Sequence, residues 1–311
     1  MNIVFLDTDT VGELKELKLL EQYGNVALYP QTSAHETIER IKNVEIVITN
    51  KVVLDKKVLE VSPALKLICV AATGTNNIDL KTAKELGIVV KNVKGYSTDS
   101  VAQHTISLIL NLLNHINYYN NYVKDGRYST SKIFTNLSKE IIQLKGKKLG
   151  IIGLGTIGAR VAQLGEAFGA DIIYYSTSGN NNNRNYRKVS LHELLTEADI
   201  VSIHSPLNEN TRNLIANEEL KKMKSSALLI NTGRGGIVHE GDLAHALNEN
   251  MIQAAALDVF EQEPLPSYSP LLTIKEPERL LLTPHIAWSA LEARKELLQQ
   301  IVEHIKEFVN L

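Results

Sequence analysis

Gly153-Leu154-Gly155-Thr156-Ile157-Gly158 is the stretch that decides the fold of this 311-residue chain. It follows the apolar run Leu149–Ile152 and opens a stretch of helical spacing that reaches about Phe168. A strand, a G-x-G-x-x-G turn and a helix together bind the pyrophosphate of a dinucleotide, because the glycines admit the ligand and the helix N-terminus offers free amides. Another strand is predicted from Asp171, which is the context that this motif requires.

On both sides of this motif, short runs rich in valine and isoleucine alternate with stretches of helical spacing. Runs that are apolar throughout indicate strands buried on both faces, as in parallel sheets. A chain of this length is long for a single core. The sequence therefore predicts an α/β protein of two Rossmann-like, doubly wound parallel-sheet domains. The predicted strands are Ile3–Leu6, Glu45–Thr49, Lys66–Ala71, Ile88–Val93, Leu149–Ile152, Asp171–Tyr175, Ile200–His204, Ala227–Asn231, Ala254–Val259 and Leu280–Thr283.

Two longer helices are predicted next to the second set of strands. Ser97–Asn120 has the pattern of one long helix, and Ser289–Val309 has an amphipathic pattern. Four tyrosines fall at the end of the first pattern and beyond it, which is typical of a surface or subunit contact. They are Tyr118, Tyr119, Tyr122 and Tyr128.

Composition argues against several classes of function. A net charge of −2 offers no electrostatic basis for binding nucleic acid or an anionic membrane. The single cysteine, Cys69, lies in an apolar run and is predicted to be a packed strand residue; metal-type cysteine spacing is absent. No apolar run approaches the roughly 20 residues of a membrane span, and no basic segment precedes the first apolar stretch, so a cytoplasmic location is expected.

Three residues downstream of the glycine motif supply the groups that the reduction of a 2-keto acid requires. Arg234 lies between glycines in Asn231-Thr232-Gly233-Arg234-Gly235-Gly236, and its planar fork can bind a carboxylate. His285 follows Pro284, and an imidazole can donate a proton near neutral pH. Glu263, which precedes Pro264, supplies a carboxylate, and a carboxylate against one ring nitrogen of a histidine fixes the tautomer and favours the imidazolium.

These motifs in this order resemble the D-isomer-specific 2-hydroxyacid dehydrogenase family, and within it glycerate dehydrogenases and hydroxypyruvate reductases. The resemblance extends over nearly the whole chain. It implies a discontinuous substrate-binding domain, residues 1–98 plus 287–311, around a dinucleotide-binding domain of residues 99–286, with an active-site cleft between them. It also implies that the terminal helix returns to the first domain and that the protein is a homodimer.

The resemblance assigns roles to further residues. The catalytic set is Arg234, Glu263 and His285, and no metal is implied. Asp258 matches a carboxylate that holds the nicotinamide carboxamide. The residues implied to bind the cofactor are Gly153, Gly155, Thr156, Ile157, Gly158, Ser176, His204, Pro206, Thr232 and Asp258. The residues implied to bind the substrate are Thr73, Gly74 and Thr75, in a glycine loop whose amides bind a carboxylate, together with Arg234 and His285.

The residues leave NAD and NADP both open as the cofactor, with NAD preferred. An acidic residue that bonds the ribose 2′-hydroxyl is expected at the end of the second strand, but Ser176 stands there. A serine hydroxyl can bond the ribose, although it does not repel a 2′-phosphate. Arg184 and Arg187 follow shortly and could reach such a phosphate, or could be solvated loop charges.

The preferred function is the reversible reduction of hydroxypyruvate or glyoxylate to D-glycerate or glycolate. D-lactate, branched 2-keto acids and 3-phosphoglycerate remain open as substrates. Formate dehydrogenases share this fold, but they are expected to pair the histidine with glutamine, where this chain has Glu263. A nucleotide-sensing protein of the corepressor type is the third alternative, and the lack of a long basic or disordered extension argues against it. His104 is expected to be structural.

Overall fold

The computed structural model describes residues 1–310 and divides into two compact units. The first comprises Met1–Ser97 and Ser289–Leu311, and the second comprises Thr98–Trp288. Each unit contains one sheet whose strands all pair in parallel. The predicted fold class, two Rossmann-like α/β domains, is confirmed.

The strands are β1 (Asn2–Phe5), β2 (Asn25–Leu28), β3 (Ile46–Thr49), β4 (Leu67–Val70), β5 (Val89–Asn92), β6 (Lys148–Ile152), β7 (Asp171–Tyr175), β8 (Arg187–Lys188), β9 (Ile200–Ile203), β10 (Leu228–Asn231), β11 (Ala254–Leu257) and β12 (Leu280–Leu282). The α-helices are α1 (Ala34–Ile41), α2 (Lys56–Glu60), α3 (Leu80–Glu85), α4 (Thr98–Asn114), α5 (Ile116–Lys124), α6 (Thr156–Ala167), α7 (Leu191–Glu197), α8 (Asn217–Leu220), α9 (Glu240–Asn248) and α10 (Leu291–Val309). Short 3-10 helices are Thr8–Thr10, Lys15–Tyr23, Tyr128–Thr130, Pro270–Thr273 and Pro277–Arg279.

The first unit has the strand order β2-β1-β3-β4-β5. Every residue of β3 and β4 is buried, which explains why these two strands are apolar throughout. The terminal helix α10 belongs to this unit, where it packs on β4 and on the 3-10 helix Lys15–Tyr23. Its buried residues include Leu297, Ile301 and Ile305, so the amphipathic pattern faces this core.

The second unit has the strand order β12-β11-β10-β9-β6-β7-β8. The chain proceeds from β6 outward through β7 and β8, and then continues on the other side of β6 with β9. This reversal makes the β6–β9 boundary a topological switch point, where ligands of open parallel sheets bind at the carboxyl ends of the strands. The glycine motif follows β6 directly and therefore lies at this point.

Cys69 lies in the middle of β4 and is fully buried. Burial raises the pKa of its thiol to about 12, so the thiolate that a nucleophile needs is suppressed. This agrees with the prediction of a packed strand residue. Among residues 1–310, no helix combines the length and the apolar character that crossing a bilayer requires.

The prediction of one helix over Ser97–Asn120 was wrong. The structure has α4 and α5 in its place, separated by His115, whose φ of 51° lies in the left-handed region. A residue in that conformation cannot continue a right-handed helix, so a new helix begins at Ile116. Sequence patterns also missed the edge strand β2, of which no residue is buried, and the two-residue β8.

Candidate active site

The proposed site residues of the second unit lie after the carboxyl ends of successive parallel strands. Because parallel strands end at the same edge of the sheet, their following loops lie side by side. Gly153 follows β6, Ser176 follows β7, His204 follows β9, Thr232 and Arg234 follow β10, Asp258 follows β11, and His285 lies shortly after β12.

The three motif glycines occupy three different environments. Gly153 has a φ of +89°, and a Cβ there would lie 2.8 Å from the Ser205 backbone nitrogen. A Cβ on Gly158 would lie 2.2 Å from the Gly153 carbonyl oxygen, so only glycine allows α6 to start this close to β6. A Cβ on Gly155 would meet no atom within 4 Å, which leaves open space at the middle of the turn. The turn is therefore tightly packed at Gly153 and at Gly158, and it is open at Gly155.

Helix α6 begins without a side-chain cap. Among residues 1–310, no protein group accepts a hydrogen bond from the backbone N–H groups of Thr156, Ile157 or Gly158. Unsatisfied amides at a helix N-terminus, together with the helix dipole, form a site for an anion. The turn and the helix start therefore fit the pyrophosphate of a dinucleotide.

Two buried polar atoms beside this turn lack a hydrogen-bond partner among the described residues. They are His204 Nδ1 and Ser205 Oγ. His204 Nε2 lies 2.8 Å from Ser202 Oγ, and burial lowers the pKa of the His204 imidazole to about 3. The Pro206 carbonyl accepts the Thr211 hydroxyl at 2.7 Å, which holds the following turn. Because buried polar groups normally have partners, the orphaned atoms also fit a site completed by a polar ligand.

Ser176 is buried at the end of β7, and its Oγ accepts a hydrogen bond from the Asn181 N–H at 3.2 Å. The Asn181 side-chain amide donates to the Leu154 carbonyl within the glycine turn. The asparagine run 180–183 is thus folded back onto the motif. Sequence reasoning missed Asn181, although an asparagine-rich loop directly after this strand was the available signal.

The cations near this loop have protein partners or face solvent. Arg187 pairs with Glu197 at 2.5 Å, and Lys188 Nζ donates to the Gly179 carbonyl at 2.9 Å. Arg184 is exposed.

The loop that carries Arg234 is organised by Asn231. The Asn231 side chain accepts from the Gly233 N–H at 3.0 Å and donates to the Arg234 carbonyl at 2.9 Å. The Arg234 guanidinium is half-buried and donates to the Gly233 carbonyl at 2.8 Å, and no carboxylate in residues 1–310 pairs with it. Thr232 is buried, with its hydroxyl 2.9 Å from that of Thr105. The guanidinium is therefore open to an external carboxylate.

The structure places Glu263 Oε2 2.7 Å from His285 Nδ1. The two side chains are 32% and 24% exposed, so the pair is reachable from solvent. The other Glu263 oxygen accepts the Phe260 N–H at 3.1 Å. His285 has a φ of +54°, a conformation that is uncommon outside glycine, and its backbone N–H donates to the Asp258 carbonyl at 2.8 Å.

The Asp258 carboxylate is fully buried and bonds the turn around His285. It accepts the Thr283 hydroxyl at 2.6 Å, the Ile286 N–H at 2.9 Å and the Ala287 N–H at 2.8 Å. His104 Nε2 lies 3.1 Å from Thr283 Oγ1 and 3.6 Å from Asp258 Oδ1, which agrees with a structural role for His104. The sequence indicated Asp258 as a cofactor residue and did not reveal these contacts.

The glycine loop of the first unit lies between β4 and α3. Thr73 Oγ1 donates to the Val93 carbonyl at 3.1 Å, and the Thr73 carbonyl accepts the Asn92 side-chain amide at 2.6 Å. Within the described part of the chain, the N–H groups of Gly74 and Thr75 have no protein acceptor. This loop therefore offers free amides of the kind that bind a carboxylate.

Comparison with known proteins decides the family. Residues 106–287 match the family described as "D-isomer specific 2-hydroxyacid dehydrogenase, NAD binding domain". The chain belongs to this family.

It is 37% identical to a hydroxypyruvate reductase of Blautia hydrogenotrophica, covering 100% of this chain and 97% of that protein. It is also 37% identical to a glycerate dehydrogenase of Methylorubrum extorquens, covering 99% and 96%. The structure of an Aquifex aeolicus D-lactate dehydrogenase with NAD and lactic acid superposes with a TM-score of 0.86 at 27% identity, covering 100% of this chain and 96% of that one.

This family member is an NAD(P)-dependent oxidoreductase that acts on 2-hydroxy and 2-keto acids. The glycine turn, the uncapped start of α6 and the orphaned atoms of His204 and Ser205 fit the nucleotide.

His204 is expected to make folding stability depend on pH in the acid range. The folded-state pKa of about 3 lies below the ordinary value near 6.5, so the unfolded chain binds more protons between these values. This contribution to stability is therefore lost progressively as the pH falls below about 6.5. We expect His204→Gln to flatten the acid side of a plot of unfolding free energy against pH, measured by urea denaturation without cofactor. His192→Gln, which changes an exposed histidine, is the matched control. Equal acid slopes in wild type and His204→Gln would contradict the assignment.

Proposed function

We propose that this protein reduces a small 2-keto acid, hydroxypyruvate or glyoxylate, to the D-2-hydroxy acid with NADH, and that Arg234, Glu263 and His285 carry the reaction. The observation that carries the proposal is the 2.7 Å contact between Glu263 and His285, at the same sheet edge as an arginine without a carboxylate partner. The names of two relatives, hydroxypyruvate reductase and glycerate dehydrogenase, support the choice of substrate.

Each of the three side chains has a task that follows from its contacts. Arg234 binds the substrate carboxylate and polarises the keto oxygen, because its guanidinium donates to one backbone carbonyl and has no carboxylate partner in residues 1–310. Glu263 occupies His285 Nδ1, so Nε2 is the nitrogen left to donate a proton to the developing alkoxide. In the reverse direction the same nitrogen accepts the proton. The bound nicotinamide cofactor supplies or accepts the hydride.

Further residues complete the proposed site. The free amides of Gly74 and Thr75, together with Thr73, bind the substrate carboxylate. Cofactor contacts come from the glycine turn, from Thr156 and Ile157 at the start of α6, and from Ser176, His204, Pro206, Thr232 and Asp258. The division into a substrate-binding domain, 1–98 plus 287–311, and a dinucleotide-binding domain, 99–286, remains part of this proposal. The cytoplasmic location stays a prediction.

The experiment that tests this function is a steady-state assay of 2-keto acids with NADH and with NADPH. Hydroxypyruvate or glyoxylate is expected to give the highest kcat/KM, with turnover above about 1 per second, ahead of pyruvate, a branched 2-keto acid and 3-phosphohydroxypyruvate. Arg234→Lys tests the role given to Arg234. It is expected to lose about 100-fold in kcat/KM, because an ammonium cannot reproduce the fork, while NADH affinity stays the same. Turnover of formate with NAD and of none of the keto acids would overturn the proposal.

Preference for NADH is proposed because two of the three cations that follow β7, Arg187 and Lys188, are engaged, while Arg184 is exposed. Arg187 pairs with Glu197, and Lys188 bonds the Gly179 carbonyl, so neither is held ready for a 2′-phosphate. Ser176→Asp is expected to raise the NADH/NADPH ratio of kcat/KM, since a carboxylate bonds the 2′-hydroxyl and repels a 2′-phosphate. The matched control is Ser178→Asp, two positions along at an exposed residue. A ratio that is the same in wild type and Ser176→Asp would remove Ser176 from the ribose site.

The Glu263–His285 pair is expected to set the pH dependence of the reaction. Reduction needs the imidazolium, which the adjacent carboxylate stabilises, so reduction falls at alkaline pH while oxidation rises. Glu263→Gln removes the charge and nearly keeps the shape. The imidazolium is then lost at lower pH, and the alkaline limb of kcat/KM for reduction moves to lower pH. His285→Ala is expected to remove most activity at every pH. If the Glu263→Gln profile superimposes on that of wild type, the carboxylate does not support the imidazolium.

We also propose a homodimer, formed through the segment that follows α5. Phe134 is 90% exposed, Leu137 80% and Ile133 64%, and a monomer rarely leaves so much apolar surface in water within five successive residues. A second copy of the chain would cover it. Light scattering at micromolar concentration is expected to show a dimer for wild type and for Tyr268→Ser, an exposed aromatic residue elsewhere. The double variant Phe134→Ser/Leu137→Ser is expected to be monomeric. A monomeric wild type, or a dimeric double variant, would contradict the interface.

A further inference from the structure

Two glutamates outside the Glu263–His285 pair bond each other's backbone. Glu240 is the first residue of α9, and its Oε1 accepts a hydrogen bond from the Glu261 N–H at 2.6 Å. Glu261 returns the contact, because its Oε1 accepts from the Glu240 N–H at 3.0 Å. Each carboxylate thus satisfies the other residue's amide, in the reciprocal manner of a capping box. These two contacts are called the glutamate clamp below.

The clamp holds the segment that carries Glu263. On one side of Glu261 in the chain is Phe260, whose N–H donates to Glu263 Oε1 at 3.1 Å. Glu263 Oε2 lies 2.7 Å from His285 Nδ1. One short backbone segment therefore supplies both the carboxylate and the N–H that orients it. A shift of this segment would move the carboxylate relative to the imidazole, and sub-ångström placement matters for a catalytic group.

The same segment is in direct contact with the loop after Arg234. A Cβ on Gly235 would lie 1.7 Å from the Phe260 carbonyl oxygen, so the two backbones touch. The chain that leaves Gly235 soon starts α9 and brings Glu240 to Glu261. The clamp therefore joins the stretch that presents Arg234 to the stretch that presents Glu263.

Capping of α9 does not explain the buried Glu240 carboxylate, because it accepts the Glu261 N–H and the side-chain cap of α9 is His239. Glu240 is 8% exposed. Burial raises the pKa of its carboxyl, and the charges of Glu261 and Glu263 act in the same direction. The hydrogen bond from the Glu261 N–H and the charge of His239 lower this pKa but do not cancel the rise. Burying a carboxylate near two others costs free energy, and a neutral side chain could cap a helix without that cost.

We propose that Glu240 and Glu261 are positioning residues, and that the clamp holds Glu263 against His285 Nδ1 and thereby sets the pH range over which His285 carries a proton. The proposal rests on the function proposed above, in which His285 is the acid–base group. The other titratable groups near the clamp and His285 include His239 and its partner Asp242, together with Asp258 and His104, and the tests leave them unchanged.

The first test compares Glu261→Ala with Glu261→Gln, because Glu261 is exposed and either change leaves the core intact. Glutamine keeps an oxygen that can accept the Glu240 N–H, whereas alanine does not. Glu261→Ala is expected to lower kcat/KM for the 2-keto acid about tenfold and to move the alkaline limb to lower pH. Glu261→Gln is expected to keep most of the wild-type kcat/KM and most of the wild-type position of the alkaline limb. Glu240→Ala and Glu240→Gln repeat the comparison from the other side of the clamp.

The second test follows His285 directly, by NMR titration of its ring nitrogens in the protein without cofactor. Both alanine variants are expected to lose the His285 proton at lower pH than wild type does. This measurement needs no turnover, so it separates the two proposals. Full activity of His285→Ala would overturn the proposed function, whereas an unchanged His285 titration in both alanine variants would overturn the clamp alone.

The double variant Glu261→Ala/Glu263→Gln distinguishes positioning from general loosening. If the clamp acts through Glu263, Glu261→Ala shifts the alkaline limb of kcat/KM when it is introduced into the wild-type protein. The same change produces no further shift when it is introduced into the Glu263→Gln variant. Glu249→Ala is the control, since Glu249 is exposed just beyond the other end of α9 and contacts Lys275 at 3.5 Å. An additive shift in the double variant, or an equal shift in Glu249→Ala, would overturn the proposal.

Discussion

The contact between the backbones of Gly153 and Ser205 is the constraint on which the second unit depends. β6 pairs with β7 on one side and with β9 on the other, so the loops after β6 and β9 start side by side. They touch so closely that a Cβ on Gly153 would lie 2.8 Å from the Ser205 nitrogen. Any side chain at residue 153 would force these strand ends apart. It would also displace the start of α6, whose first N–H groups have no acceptor among the described residues and fit an anion.

Burial decides what each titratable group at this sheet edge can do. His204 has an enclosed Nδ1, and burial lowers the pKa of its imidazole to about 3, so the ring is neutral near pH 7 and can only make hydrogen bonds. His285 is partly exposed, and its Nδ1 lies 2.7 Å from a carboxylate oxygen of Glu263. Asp258 is fully buried, but its oxygens accept a hydroxyl and two backbone N–H groups. Two histidines at the same edge of the sheet, one after β9 and one after β12, thus lie in different surroundings.

The sequence predicted the parts whose signal is local. Strands buried on both faces are continuous apolar runs, so β3, β4, β9 and β10 were placed within about two residues of their ends. The glycine turn was recognised because its three glycines, the strand before them and the helix after them follow one another directly in the chain. β2 was missed because this edge strand has no buried residue, and the break at His115 has neither glycine nor proline to announce it.

The parts that could not be predicted are contacts between segments far apart in the chain, and the turn that presents His285 depends on such contacts. A left-handed conformation costs a non-glycine residue roughly 1–2 kcal/mol, which His285 bears with its φ of +54°. Three hydrogen bonds to the Asp258 carboxylate hold Thr283, Ile286 and Ala287 around it, and hydrogen bonds to a charged group contribute about 1.5–3 kcal/mol each. The network therefore outweighs the strain. The position of the imidazole is set by a carboxylate 27 residues earlier in the chain, and no local pattern around His285 could reveal that dependence.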